Sequence, residues 1–238
     1  MGKMFCCLIL AGISLGVAGC RADKATQETS KIDSDSGYAG VKSPPPAPAP
    51  ATAEDSRPLV VCFGDSLTAG YGADPGQSYP DYLQADLDAR GYKYRVVNEG
   101  ISGNTTKDGV ERVEDITAMK AAVVVVEFGG NDGLRGLRIE DTRRNLDQIV
   151  STLKASGTKV VLAGITLPPD YGPDYVKQFN DTYVLLAKQY KVPMLPFLLK
   201  DVFGVPGMMQ ADQTHATAKG NAIVAKNVLP LVTSLLKK

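Results

Sequence analysis

The chain has 238 residues, of which 44% are hydrophobic, and its 26 lysines and arginines balance its 26 aspartates and glutamates. That length suits one ordinary globular domain, with enough core to be stable without disulfide staples. The zero net charge and the lack of a basic patch exclude the electrostatic signature of a nucleic-acid-binding protein.

The first nineteen residues have the features of a secretory signal peptide. Lys3 is followed by an uncharged apolar run over residues 4–19, which is shorter than the roughly 20 residues that a membrane-spanning helix needs. The run ends in Val17-Ala18-Gly19-Cys20, which resembles a bacterial lipobox. This resemblance implies cleavage before Cys20 and a lipid anchor on that cysteine, in the bacterial cell envelope (the periplasm, outer membrane or cell surface). The alternative is that Cys20 is an ordinary thiol near a standard cleavage site.

Residues 20–57 are predicted to be a disordered tether. They are rich in serine, aspartate, lysine and glycine, and they contain the proline-rich run at residues 44–50. Such a composition offers too little apolar surface to offset the entropy of folding, and its proline part forms an extended, semi-rigid spacer. The folded domain is therefore predicted to span residues 58–238.

Cysteine usage leaves a single thiol in the predicted domain. Cys6 and Cys7 lie in the signal peptide and Cys20 is the candidate for lipidation, so only Cys62 remains. No disulfide framework can form. Cys62 lies in an apolar run, and we expect it in the core. One histidine and one thiol cannot supply a zinc ligand set, so we expect no metal, and no cofactor is indicated.

Apolar runs rich in β-formers alternate with longer amphipathic stretches in the domain. The runs predict five strands, at residues 59–63, 94–98, 123–128, 160–165 and 194–197. The amphipathic stretches predict helices, at residues 80–90, 139–156 and 217–236, the last with a kink or break at Pro230. Near-continuous apolar strands separated by helices are typical of a parallel sheet covered on both faces. We therefore predict an α/β fold, a three-layer α/β/α sandwich with about five parallel strands.

Polar motifs follow the predicted strands, where the ligand sites of such folds gather. They are Gly64-Asp65-Ser66-Leu67, Gly100-Ile101-Ser102-Gly103-Asn104, Gly129-Gly130-Asn131-Asp132 and, before the last helix, Asp212-Gln213-Thr214-His215. Each is weak alone, because glycine, asparagine and aspartate also suit plain turns. We interpret Asp65 as an organiser of its loop and Asp132 as a residue that stabilises a turn.

Together, in this order, these motifs resemble the GDSL or SGNH hydrolase family over essentially the whole domain. The four residues that name the family pattern correspond to Ser66, Gly103, Asn131 and His215. Within the family, the segments 129–136, 167–172 and 192–197 are similar to the multifunctional bacterial acyl-CoA thioesterases, arylesterases and lysophospholipases. The resemblance implies a flavodoxin-like fold. One departure is Ala216, where the family usually has proline, and this is expected to loosen the loop.

Ester hydrolysis explains why these residue types are needed. The Ser66 hydroxyl is a poor nucleophile until a base takes its proton, and His215 is the sole imidazole in the chain. Asp212, three residues before it, is expected to orient that imidazole and stabilise its charged form. The family resemblance assigns the oxyanion hole to the backbone N–H groups of Ser66 and Gly103 and to the side-chain amide of Asn131.

Residues near the site are predicted to contact the substrate, namely Leu134, Leu167, Pro168 and Tyr171. Met208 and Met209 either line an acyl pocket or fill the core, since methionine does both.

The expected function is that of a serine esterase. Its partner would be a small ester or thioester, such as an aryl ester, an acyl thioester or a lysophospholipid, hydrolysed through an acyl-enzyme intermediate. Two alternatives stay open, a carbohydrate O-acetyl esterase and a catalytically inactive binding module on the same fold.

Overall fold

The computed structural model describes residues 55–238. The predicted signal peptide (1–19), the lipidation candidate Cys20 and all but the last three residues of the predicted tether (20–57) lie outside the described residues. Those assignments therefore stay predictions. Within residues 55–238, no helix is both long and apolar enough to cross a membrane.

A sheet of five parallel strands forms the centre of the described domain. The strands are β1 (Leu59–Gly64), β2 (Arg95–Gly100), β3 (Val123–Glu127), β4 (Lys159–Ala163) and β5 (Met194–Leu195). Their order is β2-β1-β3-β4-β5, and each neighbouring pair is parallel. This is the flavodoxin-like order, which changes direction between β1 and β3. The predicted fold class is confirmed.

The strands are apolar because both faces of the sheet are covered. Every residue of β3 is buried, and so is every residue of β1 after Leu59. Cys62 is fully buried in β1, as predicted, and burial raises the pKa of its thiol to about 12. β5 is two residues long rather than the four predicted, because Pro196 has no N–H group with which to extend the ladder.

Seven helices of the described residues complete the three layers. They are α1 (Ser66–Ala69), α2 (Tyr79–Ala89), α3 (Thr106–Ala118), α4 (Gly130–Leu134), α5 (Ile139–Ala155), α6 (Pro173–Tyr190) and α7 (Ala218–Thr233). α2 packs against α7, while α3, α5 and α6 form a second group that packs together. Right-handed crossovers place these two groups on opposite faces of the sheet.

The helices differ from the sequence prediction in two respects. The prediction did not identify α3 and α6; α3 begins at a capping box in which the Thr105 side chain accepts from Asp108 N–H and Asp108 Oδ2 accepts from Thr105 N–H at 2.7 Å. The predicted break at Pro230 does not occur, because α7 continues to Thr233. Pro230 is exposed, so the lost helical hydrogen bond falls on the solvent side.

Candidate active site

The loop that carries Ser66 turns directly from β1 into α1. Asp65 caps the helix, with its Oδ1 accepting from the Leu67 N–H at 3.0 Å, so the prediction that Asp65 organises this loop is confirmed. Gly70 ends the helix with φ of 78°, a left-handed conformation that suits glycine. The one-turn helix holds the Ser66 side chain at the carboxyl edge of the sheet, beside the point where the strand order reverses.

Ser66, His215 and Asp212 form one continuous hydrogen-bonded line. His215 Nε2 lies 2.9 Å from Ser66 Oγ, and His215 Nδ1 lies 2.7 Å from Asp212 Oδ2. Asp212 Oδ1 also accepts from the backbone N–H groups of Thr214 at 3.0 Å and His215 at 3.1 Å. The His215 side chain first, and then these N–H groups, lower the pKa of Asp212 to about 2. The carboxylate is therefore an acceptor, so His215 Nδ1 donates to it and Nε2 is left to accept from the Ser66 hydroxyl.

The backbone N–H groups of Ser66 and Gly103 are the two predicted oxyanion donors from the main chain. Among the described residues, neither Ser66 N–H nor Gly103 N–H donates a hydrogen bond to a backbone or side-chain acceptor. Gly103 has φ of 84°, and Arg135 donates to its carbonyl oxygen at 3.0 Å. Arg112 donates to Asn104 Oδ1 at 2.8 Å, which fixes the next residue of the same loop.

The Asn131 amide lies at this site but is engaged in two hydrogen bonds. Its Nδ2 donates to Asn104 O at 2.9 Å and to Asp65 Oδ2 at 3.1 Å. These two bonds fix the plane of the amide. An oxyanion at this position would therefore share one of the two amide hydrogens with its present acceptor.

An apolar cavity of about 360 Å³ opens beside Ser66 and His215. Three of the four residues predicted to contact substrate line it, namely Leu134, Leu167 and Pro168. Tyr171 is outside that lining, and its hydroxyl donates to Leu134 O at 3.0 Å. The sequence did not single out several other lining residues, which are Tyr71, Ile165, Phe197, Leu199 and Phe203.

Comparisons with known proteins agree with this geometry. Residues 62–223 match the GDSL-like lipase/acylhydrolase family. The chain belongs to this family. The family assignment made from the sequence motifs is thus confirmed, and the protein is a GDSL hydrolase.

Curated and solved relatives cover most of the described domain. Esterase TesA of Pseudomonas aeruginosa is 41% identical over 186 residues, which cover 78% of this chain and 92% of that protein. The thioesterase 1/protease 1/lysophospholipase L1 of Escherichia coli K12 is 36% identical over 178 residues, covering 73% of this chain and 84% of that protein. A crystal structure of TesA has a TM-score of 0.72 and 42% identity, and covers 75% of this chain and 99% of its own.

Gln210 joins the two loops that meet in this GDSL hydrolase. Its side-chain Nε2 donates to Tyr71 O at 2.7 Å and to Ala216 O at 2.9 Å, and its backbone N–H donates to His215 O at 2.8 Å. Ala216 is buried and forms an antiparallel bridge with Met209. These hydrogen bonds and the bridge connect the loop to its neighbours, and the loosening expected from alanine at position 216 stays a prediction.

The Tyr71 side chain covers the imidazole. Its ring centroid lies 4.6 Å from that of His215, with the two planes at 42°. Tyr71 is 54% exposed, so it stands between the imidazole and solvent at the mouth of the cavity.

Three further residues considered in the sequence analysis, Met208, Met209 and Asp132, lie outside the hydrogen-bonded line of Ser66, His215 and Asp212. Met209 is buried in the core, and neither it nor Met208 lines the cavity, which decides between the two roles considered for them. Asp132 is buried and accepts from Thr106 N–H at 2.9 Å and from the Thr142 hydroxyl at 3.2 Å. Its carboxylate therefore joins the first turns of α3 and α5, instead of forming hydrogen bonds within its own turn as predicted.

Metal ligands are not clustered in the described part of the chain. Residues 55–238 contain no group of three or more histidine, cysteine, aspartate or glutamate side chains placed to hold an ion.

Proposed function

We propose that this GDSL hydrolase is a serine esterase in which Ser66 is the nucleophile, His215 the general base and Asp212 the group that orients it. One observation carries the proposal: the unbroken line of hydrogen bonds from Asp212 through His215 to Ser66 Oγ, at 2.7 and 2.9 Å, ends at an apolar cavity. A hydroxyl, an imidazole and a carboxylate in this arrangement activate serine for attack on a carbonyl carbon.

Acylation begins with the attack of Ser66 Oγ on the ester carbonyl carbon. As the new C–O bond forms, the hydroxyl proton moves to His215 Nε2 and the carbonyl oxygen becomes an oxyanion. We assign the stabilisation of that charge to the backbone N–H groups of Ser66 and Gly103 and to the side-chain amide of Asn131. The bond to the leaving oxygen or sulfur then breaks, and His215 returns its proton to the departing alcohol or thiol.

Deacylation repeats these steps with water as the nucleophile. His215 Nε2 removes a proton from a water molecule as that water attacks the acyl carbon. The tetrahedral intermediate collapses, the carboxylic acid leaves, and the proton returns to Ser66 Oγ. Asp212 remains ionised throughout and stabilises the imidazolium formed in each half of the reaction.

The substrate class follows from the walls of the cavity. Leu134, Leu167 and Pro168 supply aliphatic surface and Phe197 and Phe203 supply aromatic surface, which favours an acyl chain over a sugar ring. The relatives named as esterase, thioesterase and lysophospholipase support aryl esters, acyl thioesters and lysophospholipids as substrates. Acyl chains of short to medium length suit a cavity of about 360 Å³.

A chain-length series of p-nitrophenyl esters tests this substrate class, with the Ser66→Ala variant as the blank. We expect kcat/KM to rise from acetate to the medium-length acyl esters, because each buried methylene adds about 0.8 kcal/mol of favourable transfer free energy. Activity confined to acetate would instead favour the O-acetyl esterase alternative.

We also propose that the domain is held in the bacterial cell envelope by a lipid on Cys20. The support is in the sequence: an apolar run over residues 4–19, a lipobox-like Val17-Ala18-Gly19-Cys20 and a proline-rich spacer after it. Mass spectrometry of the mature N-terminus from cells tests the proposal. A mature chain that begins at Cys20 with added acyl mass is expected, and an unmodified Cys20 would rule it out.

A further inference from the structure

Glu127 is a fully buried carboxylic acid directly beneath the nucleophile loop. It is the last residue of β3 and lies opposite Gly64 in the strand register. Its Oε2 accepts from the Thr68 hydroxyl at 2.8 Å and from the Asp65 N–H at 3.3 Å. Glu127 therefore forms hydrogen bonds to one residue before Ser66 and one residue after it.

Asp65 extends these contacts to the oxyanion site. Its side chain is almost fully buried, with Oδ1 accepting from Leu67 N–H at 3.0 Å and Oδ2 accepting from Asn131 Nδ2 at 3.1 Å. The hydrogen bonds thus run without a gap from Glu127 through Asp65 to the Asn131 amide. A shift of the Asp65 backbone would move both the start of α1 and the acceptor that orients the amide.

Neither of these buried carboxyls has a cationic partner. Among the described residues, no lysine or arginine forms an ion pair with Asp65 or Glu127. Burial first, and then the charge of Asp65, raises the pKa of Glu127 well above its usual range, while burial raises the pKa of Asp65 to about 6. Glu127 Oε1 has no hydrogen-bond partner, which a neutral acid tolerates far better than a buried carboxylate.

The space for this acid is created by a glycine. A Cβ added at Gly64 would lie 2.6 Å from Glu127 Oε2, which is closer than real Cβ contacts come. Gly64 therefore permits the carboxyl to sit under the loop and reach Thr68 and the Asp65 N–H at the same time.

We propose that Glu127 is a positioning residue for the esterase and acts in its neutral form: it holds the Asp65 backbone, and through Asp65 it fixes the Asn131 amide at the oxyanion site. The inference rests on the proposed function, because it assigns a supporting role within that same site. This role requires that the Glu127 side chain accept hydrogen bonds, and it does not require that the side chain carry a negative charge.

Two substitutions at position 127 separate these requirements. Glu127→Gln keeps an oxygen that can accept from Thr68 and Asp65, so kcat for a soluble p-nitrophenyl ester should stay within about threefold of the wild type. Glu127→Leu fills a similar volume without an acceptor, so kcat should fall by up to about 100-fold, as expected for a small misplacement of catalytic groups, with KM little changed. An equal loss of kcat in both variants would overturn the proposal that Glu127 acts only as a hydrogen-bond acceptor.

A double-mutant cycle with Asn131→Ala tests the route through the amide. If Glu127 acts through Asn131, the Glu127→Leu/Asn131→Ala double variant should lose little more kcat than Asn131→Ala alone. Fully additive losses would overturn the proposal. Leu153→Ala is the control, because Leu153 is fully buried near the far end of α5 and its loss weakens the fold without touching these bonds. It should leave kcat unchanged at a temperature where both proteins are folded.

The Ser66→Ala variant distinguishes failure of this inference from failure of the proposed function. An inactive Ser66→Ala with a fully active, folded Glu127→Leu would overturn the role of Glu127 alone. An active Ser66→Ala would overturn the esterase mechanism itself.

Discussion

Ser66 and His215 are 149 positions apart in the chain, yet Ser66 Oγ and His215 Nε2 lie 2.9 Å apart. The first residue follows β1 and the second precedes α7, so only the folded domain can bring the hydroxyl and the imidazole together. Both side chains are half-buried at the carboxyl edge of the sheet, where neither contributes to the apolar core.

Removal of either group should abolish hydrolysis and leave the fold intact. Ser66→Ala and His215→Ala are each expected to lower kcat by about a million-fold, as in comparable triads. Steady-state kinetics give the loss, and circular dichroism with thermal unfolding checks the fold. Ser151→Ala removes a hydroxyl from the outer side of α5 and should retain full activity. Substantial turnover by the Ser66 or His215 variant would rule out the assigned roles.

The activity should not change with the ionisation of Asp212 in the neutral range. Hydrogen bonds from His215 and two backbone N–H groups lower the pKa of Asp212 to about 2, so its carboxylate is present throughout the neutral range. Its lowered pKa means that its contribution to stability is present above about pH 4 and is lost as the pH falls toward 2. We expect Asp212→Asn to lower kcat by about 10⁴-fold, because the imidazole then loses the carboxylate that orients it. A fall in kcat/KM that begins only near pH 2 to 3 would show that the ionisation of Asp212 controls the rate.

The Asn131 amide should act mainly on the transition state. Asn131→Ala removes one oxyanion donor, so kcat should fall about 100- to 1,000-fold while KM changes little. Asn227→Ala, on α7, removes an amide that donates to Lys200 O away from the site and is the matched control. A rise in KM at unchanged kcat would indicate that the amide contacts the substrate only in its ground state.

Gln210 should prove to be the link that keeps His215 within reach of Ser66. Gln210→Ala removes the side-chain bonds to Tyr71 O and Ala216 O, and we expect kcat to fall by up to about 100-fold. Gln189→Ala removes a surface amide that donates to Asp147 and should have no effect. Wild-type kcat in the Gln210 variant would mean that the loop is held by other contacts.

The stability of the protein should report the protonation of Glu127. A raised pKa in the folded state means that Glu127 favours the fold at low pH, and that this contribution is lost as the pH rises above about 4.5. The groups around it are Asp65, Thr68, Tyr79 and Tyr183. Relative to the wild type, Glu127→Gln should therefore gain up to about 1.4 kcal/mol in unfolding free energy per pH unit above that value. Denaturant titrations at pH 5, 6 and 7 give the difference, and a constant difference would show that folded Glu127 is ionised.

The sequence predicted the sheet well because its signal is local. Continuous valine-rich runs, such as that of β3, occur where both faces of a parallel strand are buried. Helix α3 was missed because it is polar over most of its length and carries Gly109 in its interior, which weakens the helical pattern. Helix α6 was not predicted, because it follows directly on a segment that begins with Pro168 and Pro169 and has the composition of a loop.

The site was predictable only where chemistry limits the choice. A single histidine leaves one candidate base, and the motif order gave Ser66, Gly103 and Asn131. The role of Glu127 was not predicted, although the sequence contained a signal for it. An acidic residue at the end of a continuous apolar strand is unusual, because acidic side chains are rarely fully buried. The link made by Gln210 to Tyr71 carries no local pattern, because it joins loops 139 positions apart.

Reaction with a fluorophosphonate probe tests the central claim most directly, because the probe bonds covalently to an activated serine. Peptide mass spectrometry of the labelled protein should find the phosphonyl group on Ser66, and His215→Ala should prevent or greatly slow its attachment. A protein that stays unlabelled would contradict the account and favour the inactive binding module, and a label on another residue would contradict the assignment of Ser66 as the nucleophile.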